Sequence, residues 1–150
     1  MLRDEIQNAL KEAMKNKDVK TVAATRLIIA GIKEKDVVAR GKGEKEAVEA
    51  DILALMQSMI KQRKESQKIY EDADRHDLAQ KEMDEIEVIQ SFLPNQLSEE
   101  ETVKVIKDVI SAVKASSMKD MGVVMAELRG KYAGKMDFSI ASTKVKELLS

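Results

Sequence analysis

The sequence predicts an all-α protein, and three observations carry that expectation. Apolar residues recur at intervals of three and four through most of the chain. A single Pro and six Gly leave few breakers among 150 residues. No stretch alternates apolar and polar residues as a half-buried strand would. Charged residues make up 35% of the chain, above the ordinary ~25%, which suits long amphipathic helices.

Leu2, Ile6, Ala9, Leu10, Ala13 and Met14 form the apolar stripe of a first helix. Asn16-Lys17-Asp18 interrupts it, and Asp18 is placed to cap a second helix running to about Ala39. Val19, Val22, Ala23, Leu27, Ile29, Ala30 and Ile32 surround that helix, the pattern of a central bundle member. Arg26 interrupts its apolar run, so its head is expected to pair with a carboxylate such as Asp51. Gly41 and Gly43 mark a turn. A third helix is expected from about Glu44 to Tyr70, with Val48, Ile52, Leu55, Met56, Met59, Ile60 and Tyr70 along one side. Its distal, basic end lacks large apolar residues and is expected to project past the core. Asp74 is placed to cap a fourth helix through Ala79, Met83, Ile86 and Ile89.

Pro94 disfavours helix at Leu93, and Ser98 begins an S-x-x-E capping box with Glu101. The expected organisation is an N-terminal bundle of about four helices at 1–93, a linker at 94–97 and a C-terminal three-helix subdomain at 98–150. In the latter, Val103, Ile106, Val109, Ile110 and Val113 face inward from the fifth helix. Ser117 and Asp120 start a sixth with Met118, Met121, Met125, Leu128 and Tyr132. Gly130 and Gly134 release the chain, and Asp137 caps a seventh with Phe138, Ala141, Val145 and Leu148 inward.

Composition excludes several chemistries. Without Cys there is no disulfide, zinc ribbon or thiol nucleophile. The one histidine, His76, lies among acids, with no Gly-x-Ser-x-Gly elbow and no H-E-x-x-H. An EF-hand loop from Asp72 fails because Asp77 and Met83 stand where Gly and Glu are needed. Gly41-Lys42-Gly43 lacks the spacing of a phosphate loop. No catalytic site, metal or cofactor is expected. The N-terminus lacks the apolar segment of a signal peptide, and no apolar run could span a bilayer. A cytoplasmic location, without a membrane partner, is the expectation.

Net charge is −1, which argues against indiscriminate nucleic-acid binding, DNA included. The charge is nevertheless segregated. Residues 11–35 carry seven basic and three acidic side chains, residues 61–68 four and one, and residues 71–87 two and eight.

Three stretches together carry a resemblance: Lys61-Gln62-Arg63-Lys64-Glu65-Ser66, Leu93-Pro94-Asn95-Gln96-Leu97-Ser98-Glu99-Glu100-Glu101, and Ser116-Ser117-Met118-Lys119-Asp120-Met121-Gly122-Val123-Val124-Met125. The chain resembles the YqeY-like proteins, relatives of the C-terminal tail of GatB, the B subunit of the amidotransferase acting on misacylated glutamyl- or aspartyl-tRNA. The resemblance implies an all-helical fold in two subdomains and a tRNA-binding module without chemistry of its own. The family pattern G-R-A-D-G-K is replaced here by Gly134-Lys135-Met136-Asp137-Phe138-Ser139, and A-G-R by Ala73-Asp74-Arg75. Lys119, Arg129, Lys131 and Lys135 are the candidate RNA-binding residues of the C-terminal part, joined by Lys61, Arg63 and Lys64 of the third helix. Free backbone N–H groups at helix starts are expected to assist with phosphates. Two aromatic pairs, two Phe and two Tyr, suit shape recognition better than base stacking. The alternatives are a protein-interaction adaptor using a groove at Met118, Met121 and Met125, or an accessory part of a carbon–nitrogen ligase with glutamine as amide donor.

Overall fold

The computed structural model describes all 150 residues and is all-helical. Its elements are α1 (Leu2–Lys15), α2 (Val19–Gly41), α3 (Glu49–Asp72), α4 (His76–Gln90), α5 (Glu99–Ala112), a 3-10 turn (Met118–Asp120), α6 (Met121–Tyr132) and α7 (Phe138–Leu149). None is long and apolar enough to cross a membrane. The chain divides into two compact units, Met1–Leu93 and Pro94–Ser150.

In the first unit α1 packs on α2, and α3 on α4. Leu2, Ile6, Ile28, Ile32, Ile52, Met56, Ile86 and Ile89 close a common core. Each fully buried aliphatic side chain there contributes roughly 1.5–3 kcal/mol relative to exposure. Asp18 caps α2 as expected, accepting from the Thr21 N–H at 3.2 Å and the Thr21 hydroxyl at 2.6 Å. Gly31 lets α3 approach α2, because a Cβ there would sit 3.0 Å from the Leu55 side chain.

Four expectations in this unit are corrected. The α2 face is not apolar in use all round: Val19, Leu27, Val37 and Val38 are exposed, and Ala24, Thr25, Ile28 and Ile32 turn inward. Arg26 lies on the outer side, its Nη2 3.9 Å from the Met14 sulfur, and pairs with no carboxylate. The third helix begins at Glu49 rather than Glu44, with Val48 exposed. Asp74 caps nothing; it closes α3, at φ 58°. The Arg75 N–H then reaches the Tyr70 carbonyl at 2.8 Å, the wrap-around bond of a left-handed helix end. Asp tolerates that conformation better than most residues other than Gly. Beyond Ile60 no α3 residue is fully buried, and Arg63 of this basic end pairs with Glu85 on α4.

The second unit packs α5, α6 and α7 on one another around Ile106, Val124, Leu128, Met136, Ala141 and Val145. Ser98 and Glu101 form the expected capping box, and Asp137 caps α7. Pro94–Leu97 belongs to this unit: Leu97 packs on its core and donates its N–H to the Lys135 carbonyl at 2.8 Å. At the end of α7 the inward residue is Leu149, and Leu148 is exposed. Met125 is buried and Met121 half-buried, so these two members of the methionine stripe are core.

Candidate nucleic-acid interface

Four candidate cations surround α6, all with exposed side chains. Lys119 sits in the 3-10 turn ahead of the helix, and Arg129 and Lys131 lie in its last turn. Lys135 stands in the bend before α7. Lys119 and Arg129 are at opposite ends of α6, roughly 15 Å apart along its axis. Arg129 and Lys131, two positions apart, leave the helix on different faces. The structure therefore disperses these charges around and along α6 instead of gathering them at one point.

Their pairing differs. Lys131 Nζ is 2.7 Å from Glu127, whose hydrogen bond raises the lysine pKa and offsets its charge. Lys119, Arg129 and Lys135 make no ion pair and present their full charge to solvent. The backbone under Lys135 is firmly held. Gly134 adopts φ 77°, which a side chain would strain. The Lys135 N–H donates to the Tyr132 carbonyl at 3.0 Å, while its own carbonyl accepts from Leu97. The Gln96 side-chain amide donates to the Gly134 carbonyl. A flexible ammonium thus stands on a fixed bend.

At three helix starts of the second unit, some of the expected free amides are already taken. The Asp120 carboxylate accepts from Ser116 N–H at 2.9 Å and Ser117 N–H at 3.3 Å. Ser98 and Glu101 satisfy each other's N–H groups, and Asp137 takes the Ser139 N–H at 2.9 Å. Each of these positions already holds an anionic side chain, so a phosphate would meet repulsion at the places where it was expected to bind.

The α3 candidates also separate. Lys61 and Lys64 are exposed, whereas Arg63 is not available. Its Nε lies 2.8 Å from Glu85 on α4 and its Nη1 donates to the Met59 carbonyl at 3.1 Å, with both charged side chains 15% exposed. Arg63 is a strut between α3 and α4. His76 Nε2 sits 2.7 Å from Asp74, with both side chains largely in solvent. No group of three His, Asp or Glu side chains is arranged to hold a metal ion.

Sequence reasoning passed over the most elaborate polar arrangement in the molecule. The Arg3 guanidinium grips Asp36 with two bonds, of 2.8 and 2.9 Å, and donates to the Ala47 carbonyl at 3.1 Å. Asp36 in turn accepts the Ala47 N–H at 2.9 Å. Arg3, followed by the Ala47 amide, holds the Asp36 carboxyl down at about 2. The clamp ties α1, α2 and the loop before α3 together. Arg3 and Asp36 are distant in sequence, and only the folded pairing distinguishes them from other surface charges.

Residues 3–149 match the family model described as Yqey-like protein. The chain belongs to the YqeY-like family. A relative in Lachancea thermotolerans, named altered inheritance of mitochondria protein 41, mitochondrial, is 33% identical over 115 residues. The match covers 75% of this chain and 59% of that relative, so the chain spans less than two-thirds of the relative's length. The two departures of this YqeY-like chain from the family pattern have structural readings. Asp74 occupies a left-handed position that glycine fills without strain. Ser139, where the pattern has its second cation, turns its hydroxyl to Asp137 at 2.6 Å.

Proposed function

We propose that the protein is a tRNA-binding module without catalysis of its own, acting in the cytoplasm as the tail domain of an amidotransferase B subunit would. One observation carries the reading: Lys119, Arg129 and Lys135, exposed and in no ion pair, flank α6, on a bend and helix ends that the fold holds in place. Spaced cations on a rigid helical unit suit phosphate contacts that read the shape of a folded RNA. Lys61 and Lys64 add a second, weaker site on the other unit. Of the methionine-groove adaptor's three residues, Met125 lies in the core and Met121 is half-buried, which leaves Met118 as its exposed member.

Binding by about three phosphate contacts is weak, on the order of micromolar, and falls roughly 20- to 40-fold between 50 and 200 mM salt. Arg129→Glu combined with Lys135→Glu is expected to reduce tRNA affinity at least tenfold and to lower the salt slope by about two. Melting temperature should barely move, since neither side chain makes an ion pair in the fold. Lys104→Glu with Lys107→Glu, a matched charge change on α5, is the control. Equal losses from both pairs, measured by filter binding, would reduce the site to diffuse attraction, and no loss from either would refute the reading. The module is further expected to form no glutaminyl-tRNA when given glutamyl-tRNA, ATP and glutamine; product in that assay would show chemistry that the proposal denies.

A further inference from the structure

The outer face of α2 has no use in the RNA reading, and its composition is unusual for a solvated surface. Val19 is 77% exposed and Val37 64%, and Ala23 and Ala30 between them are exposed as well. On a helical wheel these four fall within about 40° of one another. A helix apolar on its outward side as well as its inward side ordinarily has a further packing partner. Two charges accompany the stripe, Arg26 and Glu34, and both are exposed. The Arg26 guanidinium approaches the Met14 sulfur and no carboxylate, and Glu34 makes no ion pair.

The placement of those charges selects the occupant. Arg26 lies one i,i+4 step before Ala30, and Glu34 one such step after it. Together the three residues form a surface ridge centred on a small side chain. When two helices pack with their i,i+4 ridges aligned, the commonest crossing in globular proteins, an antiparallel copy places its ridge in reverse order alongside. Arg26 then faces Glu34 of the other copy, and Glu34 faces the other copy's Arg26. Ala30 meets itself, so the helices can come close. Ala23 and Val37 lie two turns out on either side of the crossing and keep the flanks apolar. The pattern is self-complementary in charge, size and hydrophobicity about one point, as a two-fold interface requires.

We propose that the outer face of α2 is a dimerisation surface that receives α2 of a second copy of this chain, antiparallel and crossing at Ala30. The interface is independent of the RNA-binding reading, because it uses none of the cations assigned to RNA. A single helix pair covers less than the ~800 Å² per partner of a standard interface, so the dimer forms weakly, at about 10–100 µM.

Sedimentation equilibrium of the full chain from 5 to 500 µM tests this. The unmodified protein is expected to shift from monomer to dimer across that range. Ala30→Glu places two like charges at the crossing point and should leave a monomer at 500 µM. Arg26→Glu alone, or Glu34→Arg alone, sets like charges opposite each other twice per dimer and should weaken association about tenfold. The double variant Arg26→Glu with Glu34→Arg restores both pairs and should recover the original constant. That recovery distinguishes antiparallel self-pairing from general stickiness of the stripe. Circular dichroism checks that these surface variants keep their helicity. A monomer at every concentration, a dimer indifferent to Ala30→Glu, or a double variant no better than the singles would each overturn the proposal.

Discussion

Replacing Asp36 by Ala should lower the melting temperature of the first unit by on the order of 10 °C, read by circular dichroism at pH 7. The reason is the asymmetry of half-buried ion pairs. Their net contribution is modest while intact, but removing one member leaves the other without its counter-charge. Here the loss is compounded. The Arg3 guanidinium would keep only the Ala47 carbonyl and a long 3.8 Å contact with the exposed Glu46, and the Ala47 N–H would lose its acceptor inside a buried loop residue. Asp36→Asn retains the shape and one acceptor oxygen, so its penalty should be smaller. Arg3→Lys keeps charge but not the two-pronged geometry and should fall between. An unchanged melting temperature in Asp36→Ala would show the clamp to be dispensable.

The same clamp predicts a pH dependence with a defined sign. Asp36 is held at about 2 in the folded chain, below the ordinary aspartate value of about 3.9. A depressed folded pKa means that the unfolded chain binds the proton first as pH falls. The stabilisation is therefore complete above about pH 5 and is lost between there and about pH 2. The melting-temperature gap between the unmodified protein and Asp36→Ala should narrow across that window. Asp18, Asp77 and Asp84 are also lowered, mainly by hydrogen bonds from Thr21, Arg75 and Gln80 respectively. Those groups are present in both proteins, so the difference isolates Asp36. A gap constant from pH 7 to 2 would contradict the linkage.

What could be read from the sequence was what neighbouring residues decide among themselves. Asp18, Ser98 and Asp137 cap the helices that follow them because a short side chain reaches an N–H two or three residues on. Pro94 bars any helix from continuing through Leu93 by local sterics, and α4 ends just upstream at Gln90. The misreadings needed information from elsewhere in the fold or from backbone angles. Leu148 and Leu149 both continue the stripe of Ala141 and Val145, one at a spacing of three and the other of four, and packing selects Leu149. Asp74 is an excellent cap residue by type, yet its positive φ makes it the end of one helix rather than the start of the next. The segment before Glu49 remains outside α3, with Ala47 fixed by bonds from Arg3 and to Asp36. The candidate site divides in the same way. Cation positions are visible in sequence, but their neutralisation by Glu85 and Glu127 depends on the folded pairing.

Leu128→Ala should unfold the second unit selectively. Leu128 is fully buried between α5, α6 and α7, packed with Ile106, Val124 and Val145. Truncating a buried leucine costs about 2–5 kcal/mol, the larger values where surrounding side chains cannot collapse into the space. A unit running only from Pro94 to Ser150 has a total stability of roughly 3–8 kcal/mol. The two ranges overlap, so the substitution places this unit at or below its folding threshold. The first unit has its own core, centred on Ile28, Ile52, Met56 and Ile89, and none of those residues is touched. Thermal melts of the full chain should show a transition that moves below about 30 °C and a second one that stays in place, with most of the helical signal retained between them. Since Arg129 and Lys135 depend on α6 and on the bend held by Leu97 and Gln96, tRNA retention should disappear together with the lower transition. A single cooperative melt, shifted as a whole, would show that the two cores fold as one, and the independence argued from their separate packing would be wrong.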